Sequence, residues 1–193
     1  MRKIFLLAET IIYFTFITFD LLKIESTYIK YLGIVLCFVY AIYNHKKLKS
    51  FAMLFTLIAD FFLLVLDDYY EVGVLSFVVV QVIYIFYIKN ISNKNFNNFL
   101  LSRFLVIIIG IIILYLTKNL SLLNVLVIIY FSNLLISAIQ SYSIKSNMLA
   151  IGLTLFVCCD ICVGLHNILP RETIASFLMW VFYLPSQALI VLS

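Results

Sequence analysis

Residues 51–66 read F-A-M-L-F-T-L-I-A-D-F-F-L-L-V-L: fourteen apolar side chains, one threonine and one carboxylate, Asp60. The run is continuous and does not alternate, and it is too long for an ordinary strand, so a helix is the expected state. A lone aspartate inside such a helix has meaning only if the surrounding solvent is known. The rest of the chain identifies that solvent as lipid.

Of the 193 residues, 65% are hydrophobic and 11% charged. Soluble domains carry roughly 45–50% apolar and about 25% charged residues. A chain this short has no aqueous core large enough to hide that much apolar surface. Seven further apolar runs follow the same pattern: Ile4–Leu22, Thr27–Tyr43, Val72–Ile88, Leu100–Thr117, Leu122–Gln140, Met148–Leu165 and Thr173–Leu192. Most approach the ~20 residues a span requires, and 51–66 looks short. Scarce glycine (5) and proline (2), with no alternation of polar and apolar residues, disfavour an outer-membrane barrel. The expected fold is all-α, a polytopic transmembrane helical bundle of about eight spans. With only short polar connectors between runs, residues 1–193 form a single transmembrane domain. Met1-Arg2-Lys3 resembles a signal n-region, but no A-x-A pattern follows, so the first run is read as an uncleaved helix.

The net charge of +4 does not imply a nucleic-acid partner, because the basic residues lie in small groups between apolar runs. Eight spans put both termini on one side. That side holds nine basic residues: Arg2, Lys3, Lys46, Lys47, Lys49, Lys89, Lys94, Arg103 and Lys145. The other holds four: Lys23, Lys30, Lys118 and Arg171. The positive-inside rule then places both termini in the cytoplasm.

In lipid, the residues that inform are those costly to bury. A carboxylate at a helix centre costs at least ~2.5–3.5 kcal/mol on insertion scales. Asp60 and Asp160 lie ~14 and ~18 Å from the near ends of their apolar runs, at ~1.5 Å per residue. Asp60 precedes Ser76-Phe77 by the spacing at which Asp160 precedes Ser176-Phe177. A parallel duplication of four helices accounts for this correspondence. Each aspartate serves either as a helix–helix clamp or as part of a site, and their equivalent placement favours a site. Glu9 is nearer the interface, where it is expected to snorkel or pair with Arg2 or Lys3. Gln81 with Tyr84, and Tyr183 with Gln187, are pairs about one turn apart, so each pair shares a helix face. Such groups line a site or join helices. Pro185 is expected to free the carbonyl of Val181. Lys30 opens the second span.

Several chemistries find no support. There are two histidines, His45 and His166, far apart in sequence, and the Cys159-x-x-Cys162 pair lies within an apolar run, so no metal site is expected. No P-loop, nucleophile elbow or glycine-rich nucleotide loop is present, and no cofactor is expected.

At the aspartates the sequence resembles the YhhN family of eight-span membrane proteins, which includes animal lysoplasmalogenases. Phe51–Tyr87 is similar to the family's G-D-x-x-L helix and its following G-x-x-x-F…H-x-x-Y helix. L-F-V-C-C-D-I (155–161) resembles the F-x-x-S-D helix, and Y-L-P-S-Q-A-L-I (183–190) the closing Y-x-x-A-Q-x-L-I helix. Lys30, in T-Y-I-K-Y-L, resembles the family's lysine opening the second span. Ala59 stands in place of the glycine, Gln81 of the histidine and Cys159 of the serine. The resemblance implies hydrolysis of the vinyl-ether bond of a lysoplasmalogen-like lysolipid, giving a fatty aldehyde and a glycerophospho-alcohol. Vinyl ethers hydrolyse by protonation at carbon, which needs one protonated carboxyl and one carboxylate. Asp60 and Asp160 are the expected catalytic pair, with Lys30, Gln81, Tyr84, Tyr183 and Gln187 binding substrate. Membrane acids and internal repeats also suit a proton-coupled transporter or a lipid-translocating protein.

Overall fold

The computed structural model describes residues 1–93, 95–144, 146–168 and 173–193. Lys94, Lys145, Arg171 and the Pro170-Arg171-Glu172 connector, which entered the charge and boundary readings, lie outside the described residues. Among the described residues there are eight α-helices and no strand. They are α1 (Arg2–Leu21), α2 (Thr27–Tyr43), α3 (Lys47–Asp60), α4 (Tyr70–Ile91), α5 (Phe96–Leu116), α6 (Leu122–Ser143), α7 (Asn147–Ile168) and α8 (Thr173–Leu192). Seven of these segments are long and apolar enough to cross a bilayer, with α3 counted through Leu66, and α2 is shorter at 17 residues. The chain is therefore a multi-pass α-helical membrane protein.

The short span is thus not the third. Its apolar stretch starts at Phe51, but the helix begins at Lys47, because polar contacts with α8 stabilise the extra turn. Lys46 Nζ donates to the Val191 carbonyl at 3.1 Å, and Lys49 Nζ to Ser193 Oγ at 2.8 Å. Those bonds place the start of α3 beside the end of α8. Arg2 approaches the Met148 sulfur at 3.8 Å, which brings the starts of α1 and α7 to the same end of the bundle. We call this the near end and the opposite one the far end.

Two charges are held by neighbouring helices, and for Glu9 this differs from the sequence expectation. Arg103 is not at the surface but inside α5, 2% exposed, donating to Ser137 Oγ (3.2 Å) and Gln140 Oε1 (2.8 Å) of α6. Glu9 neither snorkels nor meets a base. It is buried, and Oε1 accepts from the Cys37 thiol at 3.2 Å. In both cases a neighbouring helix supplies a closer polar partner than the interface does.

The helix neighbours follow a twofold order. Within each half, successive helices pack: α1–α2, α2–α3 and α3–α4, then α5–α6, α6–α7 and α7–α8. Across the halves, α2 packs on α8 as α4 packs on α6. This is the pattern a parallel duplication produces, with α1–α8 the contact lacking a counterpart of like extent. Large apolar side chains outside the core point outward, such as Leu101, Phe104, Ile108 and Ile112 of α5, where lipid is the compatible solvent. Close approach inside the bundle depends on Gly152. A Cβ there would stand 2.9 Å from Ile190 Cγ1 and 3.1 Å from the Ser186 carbonyl, so α7 and α8 pack nearly backbone to backbone.

We propose that the near end faces the cytoplasm. With native cysteines replaced, a Lys47→Cys variant should react with an impermeant maleimide only after the cells are opened. Glu71→Cys, at the far end, should react in intact cells. Labelling of position 47 from outside intact cells would reverse the orientation.

Candidate active site

The two aspartates arrive at the same height by the same geometry. Asp60 follows Lys47, the first residue of α3, by thirteen positions, and Asp160 follows Asn147, the first residue of α7, by the same thirteen. Both therefore stand ~20 Å along their helices from the near end. Their apolar runs began at unequal distances, which made the depths look different in the sequence.

Asp60 is the last α-helical residue of α3, and Phe61–Leu66 continues the span as a π-helix. Such wide turns are uncommon and concentrate at functional sites. Gly73 of α4 admits this segment, since a Cβ there would lie 2.4 Å from Leu63 Cγ. Asp60 is 4% exposed. Both of its carboxyl oxygens accept from the Tyr183 hydroxyl of α8, at 2.9 and 2.8 Å. Tyr31 of α2, whose hydroxyl donates to the Leu57 carbonyl at 3.4 Å, is within electrostatic reach of the same carboxyl.

Asp160 is partly buried, and its Oδ2 is enclosed without a hydrogen-bond partner. Beside it lies the buried phenol of Tyr130 from α6, in electrostatic contact with the carboxyl but without a hydrogen bond of good geometry. Tyr130 is also within electrostatic reach of Asp60, and so is the buried Cys159 thiol. The two aspartates thus flank one phenol and one thiol. Aromatic rings close the site: Tyr130 and Phe77 are 5.4 Å apart, Phe77 and Phe156 5.8 Å, Phe156 and Tyr183 5.4 Å.

Toward the far end Tyr183 meets Trp180 edge to face at 5.4 Å. Trp180 in turn lies 5.2 Å beneath the Lys30 ammonium. Lys30 forms an ion pair with Asp20 at 2.8 Å, and Asp20 also accepts from Ser26. Asp20, Lys23, Lys30, Met179 and Trp180 line a cleft of about 740 Å³ at this end of the bundle. A chain of contacts, Lys30 to Trp180 to Tyr183 to Asp60, therefore connects a charged cleft to the buried acid.

The remaining expected residues occupy a deeper level. Gln81 is 0% exposed, Tyr84 and Gln187 are also buried, and both amides and the Tyr84 hydroxyl make no hydrogen bond. Gln187 is one turn from Tyr183 toward the near end. Tyr84 neighbours Cys37, the thiol bound to Glu9. The expected set thus divides into an aspartate level, with Tyr183, and an amide level below it, with Lys30 above in the cleft. Pro185 frees the Val181 carbonyl, and Tyr13 of α1 donates to it at 3.3 Å.

Tyr130, Trp180, Asp20 and Tyr31 escaped the sequence reading. One signal existed for Tyr130: it follows Lys30 by the hundred residues that separate Asp60 from Asp160. Asp20 gave none, because it sits at the end of an apolar run where charged residues are common.

Taken together, these features define a polytopic helical membrane protein with two aspartates enclosed among aromatic rings below a charged cleft. The model of the YhhN family matches residues 25–193, which contain both aspartates and Lys30. The chain belongs to the YhhN family. No curated protein and no solved structure matches it.

Removing the Tyr183 hydroxyl should leave the Asp60 carboxyl without its donor, at a cost of about 1–3 kcal/mol. Tyr183→Phe should lower the melting temperature in micelles, whereas Tyr130→Phe, which deletes a hydroxyl that meets Asp160 only in poor geometry, should lower it less. Equal effects would show that the Asp60–Tyr183 bond has no special weight.

Proposed function

We propose that this protein hydrolyses the vinyl-ether bond of lysoplasmalogen-like ether lysolipids by carboxyl acid–base catalysis. The observation that carries the reading is the pair of carboxyls, Asp60 buried and Asp160 partly so, each thirteen residues along its helix and both within electrostatic reach of Tyr130, beneath a cleft holding Lys30. Membership of a family that includes lysoplasmalogenases supports it. Lys30 and Lys23 offer positive charge to the lysolipid phosphate, and the glycerol backbone then directs the ether toward Trp180 and Tyr183.

In this reading one carboxyl transfers its proton to the β-carbon of the vinyl ether. The double-bond electrons form the new C–H bond, and the oxygen lone pair stabilises the resulting oxocarbenium ion. The other carboxylate stabilises that cation and accepts a proton from the attacking water. The hemiacetal collapses to the fatty aldehyde and the glycerophospho-alcohol. We assign Asp60 as the carboxylate, because the Tyr183 donor shared between its oxygens suits an acceptor-only group. Asp160, with an oxygen bound to nothing, is assigned as the proton donor. Tyr183 acts through Asp60 as a positioning residue.

A second reading, a proton-coupled carrier, is favoured by one observation. Unpaired buried polar atoms of Glu9, Tyr84, Gln81 and Gln187 run from the near end toward the aspartates, as a proton path requires.

Purified protein incubated with lysoplasmalogen should release aldehyde. Asp60→Asn and Asp160→Asn should each lose about 10²–10⁴ in rate, the usual magnitude for general acid–base groups, and should melt at or above the wild-type temperature, since a neutral amide is easier to bury. Full activity in both variants would end the catalytic role of the pair. Absence of turnover in a folded wild type, with proton-dependent uptake into liposomes, would favour the carrier.

A further inference from the structure

Away from the aspartates, the near end of the bundle gathers a second set of charges. His45, Lys46, Lys47, Lys49 and Tyr87 line a cleft of about 390 Å³ where α2 hands over to α3. His45 makes the turn in a left-handed conformation, with φ of 53°, which carries the chain directly into the lysines. Lys49 is 2% exposed, and its ammonium lies 4.8 Å over the Tyr87 ring in addition to its bond to Ser193.

Among the described residues, none of these cations is ion-paired with a carboxylate. The ion pair found there is Lys30–Asp20, at the opposite end of the molecule. The first turn of α3 contains no acid, although a helix start is itself electropositive and favours one. Capping of α8 explains one bond each for Lys46 and Lys49. It does not explain Lys47, which is exposed and whose ammonium makes no hydrogen bond or ion pair among the described residues. Lys46, Lys47 and Lys49 fall within one turn, so positive charge is concentrated there and an anion would relieve the mutual repulsion.

We propose that this cleft binds the phosphate of an anionic phospholipid from the adjoining leaflet. Phosphate complements the charge, and the flanking surface identifies a lipid over a free anion. Ile42 and Tyr43 precede the basic turn, Phe51 follows it, and all three expose large apolar side chains outward, where acyl chains lie. A polar cation cleft joined to an apolar wall matches a headgroup joined to its chains. The site is separate from the proposed catalytic one and does not depend on it.

The test uses the full chain in detergent micelles doped with dioleoyl-phosphatidylglycerol, dioleoyl-phosphatidylcholine or inorganic phosphate. Binding is read by native mass spectrometry and by melting temperature. Phosphatidylglycerol should bind and raise the melting temperature, and the other two should not. Lys47→Gln should bind it about fivefold more weakly, the ratio equivalent to ~1 kcal/mol for one surface lysine. Lys47→Arg should retain binding. Lys89→Gln, an equal loss of charge at the same end, should match the wild type. The proposal is overturned by no response to phosphatidylglycerol or by an equal response to phosphatidylcholine. An equal response to inorganic phosphate overturns the lipid assignment. Equal weakening by Lys47→Gln and Lys89→Gln would mean diffuse attraction rather than a site.

Discussion

The structure turns on the cost of holding two carboxyls in a hydrocarbon environment. Each would be expelled from an isolated helix, so each has to be enclosed by neighbours before its span is stable in a bilayer. Asp60 achieves this through one hydroxyl on a helix far away in sequence: Tyr183 donates to both of its oxygens. That bond needs α8 within side-chain reach of α3, and α8 in turn lies close on α7 because Gly152 has no side chain. The contact also brings Trp180 under Lys30, so the far-end cleft and the buried acid are set by one helix placement.

Matching helix starts explain how two acids reach the same height. Equivalent helices in the two halves carry Asp60 and Asp160 thirteen residues from their starts, and the crossed contacts α2–α8 and α4–α6 interleave the halves. The halves differ in what surrounds each acid. Asp60 has a phenol donor on both oxygens, whereas Asp160 retains an enclosed oxygen with no well-aligned donor beside Tyr130. Two like groups in unlike environments are what an acid and a base require. The asymmetry therefore bears directly on the proposed division of roles.

Much of this was legible in the sequence, for physical reasons that also explain the failures. Continuous apolar runs located the helices, since lipid tolerates little else, and the cost of charge singled out Asp60 and Asp160. Hydropathy misjudged α3, whose first turn is polar and depends on contacts with α8. Glu9 was misread for a related reason: a partner on the next helix, Cys37, outcompetes the interface, and pairing across helices leaves no trace in local sequence. Tyr130 looked like one more aromatic in an apolar run, and only the hundred-residue offset from Lys30 marked it. The π-helical turn after Asp60 left no trace, because F-F-L-L-V-L has no glycine or proline to announce it.

The central claim is that buried carboxyls protonate a vinyl ether at carbon, and isotope placement tests it most directly. Purified wild-type protein is incubated with lysoplasmalogen in deuterium oxide, and the released aldehyde is analysed by mass spectrometry. Protonation at the β-carbon predicts one deuterium on the carbon next to the aldehyde group in every product molecule. Aldehyde without that deuterium, or no aldehyde from folded protein, would contradict the account.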